Sequence, residues 1–204
     1  MVDFNLYLIT DRYRTCGKPL TTVVEEALKG GIKAVQLREK GLSAKELFEL
    51  AQGIRGLTRQ YGARLFINDR VDIAMAVNAD GVHLGQNGFS ARDAKGIFPE
   101  AAVGVSTHSL NEAKKAEGEG ADFITLGPIF YTPSKAGYGE PLVVEIIKKV
   151  KAEINIPVFA IGGIKKNNAK DVINAGVDGI AVISAVMGAE DTGKAVEEIL
   201  REII

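Results

Sequence analysis

The chain has 204 residues, long enough for one well-buried core and short for two, and its 46% hydrophobic content excludes a disordered polymer. With 25 basic and 26 acidic residues the formal net charge is −1, which leaves no global basic field for nucleic acid or an anionic membrane. The single cysteine, Cys16, excludes an intramolecular disulfide and a cysteine-built metal cluster, and it fits a reducing compartment.

The first residues, Met-Val-Asp-Phe-Asn, lack the basic segment and apolar core of a signal peptide. The longest nearly apolar stretch, Gly179 to Ala189, falls short of the roughly 20 residues that cross a bilayer. The expectation is a cytoplasmic protein with small-molecule partners, no nucleic acid and no membrane. The oligomeric state stays open, a homo-oligomer included.

In chain order, apolar runs predict eight strands at about residues 4–9, 33–37, 64–67, 80–84, 102–105, 122–126, 157–161 and 178–182. Helices fill the gaps at about 21–29, 43–60, 70–77, 90–97, 109–119, 142–153, 167–175 and 190–203, with Ser43, Ser90, Ser109 and Asn167 as N-caps. In the last helix Ala195, Ile199 and Ile203 form one stripe, which predicts the buried face. A loose echo recurs: Gly31-Ile32-Lys33-Ala34, Asn78-Ala79-Asp80-Gly81, Gly120-Ala121-Asp122-Phe123 and Gly176-Val177-Asp178-Gly179 each turn a helix into a strand.

Eightfold alternation over residues 1–204 predicts a single-domain α/β fold, a compact (β/α)8 barrel. An open doubly wound sheet often opens with a Gly-x-Gly-x-x-Gly turn; Ile9-Thr10-Asp11-Arg12 stands in that place instead.

Polar residues collect where the apolar runs end, the rim at which such barrels bind ligands. Gln36, Arg38 and Lys40 alternate along one side of a strand end, a combination suited to a diphosphate: Arg presents a planar fork and Lys a mobile point charge. Asn68-Asp69 follows Leu65-Phe66-Ile67; an amide beside a carboxylate suits Mg²⁺, while Asp69 equally suits a helix cap before Arg70.

His83 lies inside a short strand and reads as a supporting residue. His108, in Ser106-Thr107-His108-Ser109, sits where a strand meets a helix, either exchanging protons or holding the helix start. The stretch from Gly127 to Gly139 is long for a strand-to-helix connection, and Thr132, Ser134 and Lys135 within it suit a phosphate under a closing loop. Gly162-Gly163 and Ile183-Ser184 end the last two strands, where backbone N–H groups often bind phosphate.

Taken together and in order, Gln36-Leu37-Arg38-Glu39-Lys40, Asn68-Asp69-Arg70-Val71-Asp72, Asp80 to Gln86, Gly104 to His108, Gly127-Pro128-Ile129-Phe130 with Thr132 to Lys135, and Ile161-Gly162-Gly163-Ile164 resemble the thiamine phosphate synthase family over essentially the whole chain. The resemblance implies a transferase of thiamine biosynthesis. It would couple hydroxymethylpyrimidine diphosphate to thiazole phosphate, release diphosphate, and require Mg²⁺ as cofactor.

By the same resemblance, Gln36, Arg38, Lys40 and Asn68 would hold the pyrimidine substrate, Asp69 the metal and Ser106 the departing diphosphate. Thr132, Ser134 and Lys135 would contact both substrates, and Gly163, Ile183 and Ser184 the thiazole phosphate. Arg38, Lys40, Ser106, His108 and Lys135 form the expected catalytic set. One departure stands out. Where synthases usually carry a second metal-binding aspartate after Gly85-Gln86, this chain has Gly88. That stretch looks more like the sister branch, the TenI-like thiazole tautomerases, in which the histidine matching His108 is an acid/base residue. A non-catalytic regulatory homologue is a further alternative.

Overall fold

The computed structural model describes residues 2–132, 142 and 144–203. Eight parallel strands close into a barrel in sequence order: β1 (Leu6–Ile9), β2 (Ala34–Leu37), β3 (Arg64–Asn68), β4 (Gly81–Leu84), β5 (Ala102–Thr107), β6 (Phe123–Leu126), β7 (Val158–Ile161) and β8 (Gly179–Val182), with β8 pairing back onto β1. The connecting helices are α1 (Leu20–Lys29), α2 (Ala44–Gln60), α3 (Val71–Ala76), α4 (Ala91–Ile97), α5 (Leu110–Gly118), α6 (Glu145–Lys151) and α7 (Lys166–Asn174); the short α8 (Ser184–Met187) and then α9 (Thr192–Ile203) follow β8. No helix among the described residues is long and apolar enough to cross a membrane.

Each strand buries both faces, which is why the strands are continuous apolar runs. One face meets the helices: Leu8, Val35, Leu65, Ile67, Val82, Val103, Ile124, Val158 and Ile180 pack there with apolar residues of the helices. The other fills the barrel with large residues set beside small ones. Register pairs Tyr7 with Ala34, Phe66 with Gly81, Phe123 with Gly104 and Phe159 with Gly179. A Cβ on Gly81, Gly104 or Gly179 would come within 2.7, 2.4 or 2.5 Å of the paired phenylalanine ring. These glycines make room for the rings, and a barrel this small is filled rather than hollow.

The sequence echo has a structural counterpart. Asp80, Asp122 and Asp178 each precede an even-numbered strand. Each accepts a backbone N–H from the strand before it: Leu65 at 2.8 Å, Val103 at 2.7 Å and Val158 at 2.8 Å. Each also pairs with a helix cation: Arg55 at 2.5 Å, Lys95 at 2.9 Å and Lys151 at 2.6 Å. In the first repeat Lys33 takes the place of the aspartate and reaches the Tyr61 carbonyl instead.

Ser43, Ser90 and Ser109 cap α2, α4 and α5 as expected. Asn167 does not cap α7. Lys165 occupies the cap, and Asn168 reaches back to accept its N–H at 2.7 Å. Two boundaries also shift: α6 begins at Glu145, and the expected helix from 190 is α9 from Thr192. The buried stripe of α9 is Thr192, Val196, Ile199 and Ile203, with Ala195 beside it half-exposed, because 3.6 residues per turn drifts off strict fourfold spacing.

Candidate active site

One layer above the aromatic plug, the inward positions change character around the ring. Two residues beyond each plug position lie Gln36 (β2), Asn68 (β3), His83 (β4), Ser106 (β5) and Thr125 (β6), then Ile161 (β7), Ala181 (β8) and Ile9 (β1). Five of the eight positions are polar and three apolar.

Four of the polar positions are wired together through Tyr7. Gln36 Nε2 donates to the Tyr7 hydroxyl at 3.2 Å, that hydroxyl meets His83 Nδ1 at 3.5 Å, and His83 Nε2 lies 3.0 Å from Ser106 Oγ. Thr125 Oγ1 lies 3.5 Å from the same nitrogen. Burial, and secondarily the charge of Arg38, push the His83 pKa down to about 3, so the ring is neutral. Burial also raises the Tyr7 pKa well above its ordinary value, and the phenol keeps its proton.

With the phenol accepting from Gln36, its proton points to Nδ1; Nε2–H then donates to Ser106, leaving the serine hydroxyl proton for a ligand. Sequence reasoning missed Tyr7, which reads as one more core residue in Leu6-Tyr7-Leu8-Ile9. The available signal was its phase, two residues before the inward end of β1.

Arg38 and Lys40 continue past the end of β2, and among the described residues neither side chain has an ion pair. Asp69 leaves β3 in the left-handed region (φ 58°), an uncommon conformation for a residue with a side chain. Its carboxylate turns toward β4 and accepts the Gly85 N–H at 2.7 Å and Asn68 Nδ2 at 2.8 Å. The capping alternative is therefore excluded: the cap position of α3 is Arg70, with no side-chain cap bond.

Gly88 lies close against Asp69: a Cβ there would stand 3.0 Å from Oδ1. The described residues contain no group of three acidic, histidine or cysteine side chains able to enclose a metal. What they offer a Mg²⁺ ion is the single Asp69 carboxylate, which suits an ion whose remaining oxygens come from substrate and water.

His108 opens the turn into α5, where its backbone N–H and Nδ1 both meet Glu112 Oε2, at 2.7 and 3.1 Å. Gln86 Nε2 bonds the Ser106 carbonyl and ties the β4 loop to β5. Gly162 and Gly163 both have positive φ and lie under the β6 loop: Phe130 N–H donates to the Gly162 carbonyl at 3.1 Å, and a Cβ on Gly163 would stand 2.7 Å from Phe130 Cβ. Ile183 caps α8 and Ser184 opens it, so a short helix begins directly after the last strand. Thr132 is half-buried, whereas Ser134 and Lys135 lie outside the described residues.

A closed parallel barrel with cations, a carboxylate and amides gathered at the C-terminal rim defines a (β/α)8 enzyme that handles phosphorylated small molecules. The family model described as thiamine monophosphate synthase matches residues 6–186, and the chain belongs to that family. Among its relatives, the thiamine-phosphate synthase of Pyrococcus furiosus is 48% identical over 199 residues, covering 98% of this chain and 94% of that protein. The thiamine-phosphate synthase of Clostridium tetani is 46% identical over 199 residues, covering 97% and 95%. A solved structure of thiamine phosphate pyrophosphorylase from Pyrococcus furiosus superposes with a TM-score of 0.91 at 46% identity and covers 98% of this chain and 95% of that one.

Proposed function

We propose that residues 1–204 act as one barrel domain that joins hydroxymethylpyrimidine diphosphate to thiazole phosphate, producing thiamine phosphate and diphosphate. The observation that supports this reading most is the donor chain Gln36–Tyr7–His83–Ser106, which ends on a serine hydroxyl at the rim that carries Arg38 and Lys40, neither in an ion pair among the described residues.

If C–O cleavage runs ahead of C–N bonding, positive charge develops on the pyrimidine methylene while negative charge grows on the leaving diphosphate. Arg38, Lys40 and the Ser106 hydroxyl then stabilise that leaving group. The neutral His83 ring holds Tyr7 and Ser106 in register without setting a positive charge against the developing cation. Gln36 gives its Nε2 to Tyr7 and so turns its oxygen toward the substrate amine; Asn68 stands beside it. The apolar side of the layer, Ile161 and Ala181 with Ile183, suits the thiazole ring. Gly163 and Ser184 would take its phosphate, and by the family resemblance Thr132, Ser134 and Lys135 would contact both substrates.

Asp69 would hold Mg²⁺, whose chemistry when bound is to neutralise diphosphate charge. His108, anchored by Glu112, serves orientation. A lone exposed thiol, Cys16, fits a cytoplasmic setting.

The test supplies both substrates with Mg²⁺ and measures thiamine phosphate; formation by the wild type, reduced only modestly by His108→Gln, is expected. Consumption of a thiazole carboxylate tautomer instead, abolished by His108→Gln, with no thiamine phosphate from the wild type, would replace this reading with a tautomerase.

A further inference from the structure

We propose that Glu39 is a positioning residue. Its buried carboxylate captures Arg12 from the neighbouring loop, and Arg38 and Lys40, the residues on either side of it, thereby stay available for an anionic ligand. The inference rests on the reading above, in which those two cations hold a diphosphate.

Past the end of β2 burial alternates: Glu39 is buried, whereas Arg38 is half-buried and Lys40 exposed. The Glu39 side chain is only 2% exposed. Oε2 accepts the Arg12 backbone N–H at 3.1 Å and its guanidinium at 3.4 Å, while Oε1 is buried with no hydrogen-bond partner among the described residues. A carboxylate so placed has a strong demand for a cation, because burial of an unpaired charge is costly. Arg38 and Lys40 flank it in sequence, yet it engages Arg12 from the other loop.

The rest of that loop is fitted to the arrangement. Thr10 N–H donates to the Gln36 carbonyl at 3.0 Å, and Arg38 N–H donates to Thr10 Oγ1 at 3.0 Å. Pairing of β1 with β2 thus continues past both strand ends. Arg12 is steadied from the other side by the Tyr13 ring, 4.6 Å from its carbon centre, and by the Tyr13 hydroxyl at 2.6 Å. Its Nη2 lies 3.9 Å from the Cβ position of Gly41, which turns the chain at φ +84° just after Lys40. The guanidinium therefore spans the turn that carries Lys40, while Arg38 and Lys40 keep no ion pair among the described residues.

If Glu39 works by occupying Arg12, removing Arg12 frees the carboxylate to quench Lys40 or Arg38. Arg12→Ala should then raise the KM for the pyrimidine diphosphate about tenfold, the scale of one charge-assisted contact, while the KM for thiazole phosphate and kcat stay close to wild type. Adding Glu39→Gln to Arg12→Ala should restore most of that loss, because the freed side chain no longer carries charge. Calorimetric binding of inorganic diphosphate with Mg²⁺ should follow the same order without turnover, and thermal melts check that each variant is folded.

A double variant as impaired as Arg12→Ala, or worse, would overturn the proposal by making Arg12 a direct contact. An Arg12→Ala protein with wild-type KM and wild-type diphosphate binding would overturn it as well and leave the enzyme assignment standing. A wild type that neither binds diphosphate nor makes thiamine phosphate would remove both.

Discussion

Gly104→Ala is the substitution that most directly couples the barrel plug to the active-site layer. A Cβ built at this position stands 2.4 Å from Phe123 Cζ and 2.6 Å from His83 Nδ1. Neither neighbour can withdraw easily. Phe123 is fully buried, with the Tyr7, Phe66 and Phe159 rings at centroid distances of 5.3–5.7 Å, and His83 is 1% exposed. Overpacking of this kind costs about 1–3 kcal/mol. For a chain of this length each kcal/mol lowers Tm by about 2–4 °C, so a fall of about 2–12 °C is expected in a thermal melt.

The same displacement moves the ring that holds Ser106. Turnover should therefore drop more than the fraction of unfolded protein accounts for, and the loss should appear in kcat more than in the KM for thiazole phosphate. Gly96→Ala, on α4 with nothing near the added carbon, serves as the control: it should raise Tm slightly, through the helix preference of alanine over glycine, and leave turnover unchanged. Gly104→Ala with wild-type Tm and wild-type turnover would refute the idea that this glycine exists to seat Phe123 and His83.

Asp69→Asn exchanges a charge-assisted bond to the Gly85 N–H for a neutral one, a loss of about 1 kcal/mol, and disturbs no helix cap. Mg²⁺-dependent turnover should nevertheless fall about 10²–10³-fold, the scale of a lost electrostatic contact to the reacting group; full activity with an unchanged Mg²⁺ response would exclude the metal role. Stability should depend on His83 as pH falls. The unfolded chain takes up a proton near pH 6.5 and the folded ring only near 3, so His83 imposes no penalty above pH 6.5, and below it stability declines by up to about 1.4 kcal/mol per pH unit. Denaturant titrations from pH 7 to 4 on wild type and His83→Gln measure this, and equal slopes in the two proteins would contradict it.

Much of the architecture was legible because a parallel strand buried on both faces must be an apolar run, and a chain that alternates such runs with amphipathic helices has few ways to bury them. All eight strands lie within two residues of their expected bounds, and Ser43, Ser90 and Ser109 cap helices because a short hydroxyl side chain satisfies local N–H groups wherever the rest of the chain goes. Gln36, Arg38, Asn68, Asp69 and Ser106 could be picked out for the same reason: polar residues that end an apolar run fall at the rim of the barrel.

What tertiary structure alone decided is which of those residues meet. Tyr7 joins His83 across 76 positions of sequence and stands among core aromatics, so its hydroxyl carried no local signal. Asp69 gave up its place as a cap because a left-handed turn aims the carboxylate at Gly85 instead of the helix that follows. Glu39 lies between two basic residues yet pairs with Arg12, 27 positions away, and Gly104 looks like any strand glycine until closure brings Phe123 against it. Local pattern records burial and phase, whereas the partner of each polar group depends on which strands the closed ring sets side by side.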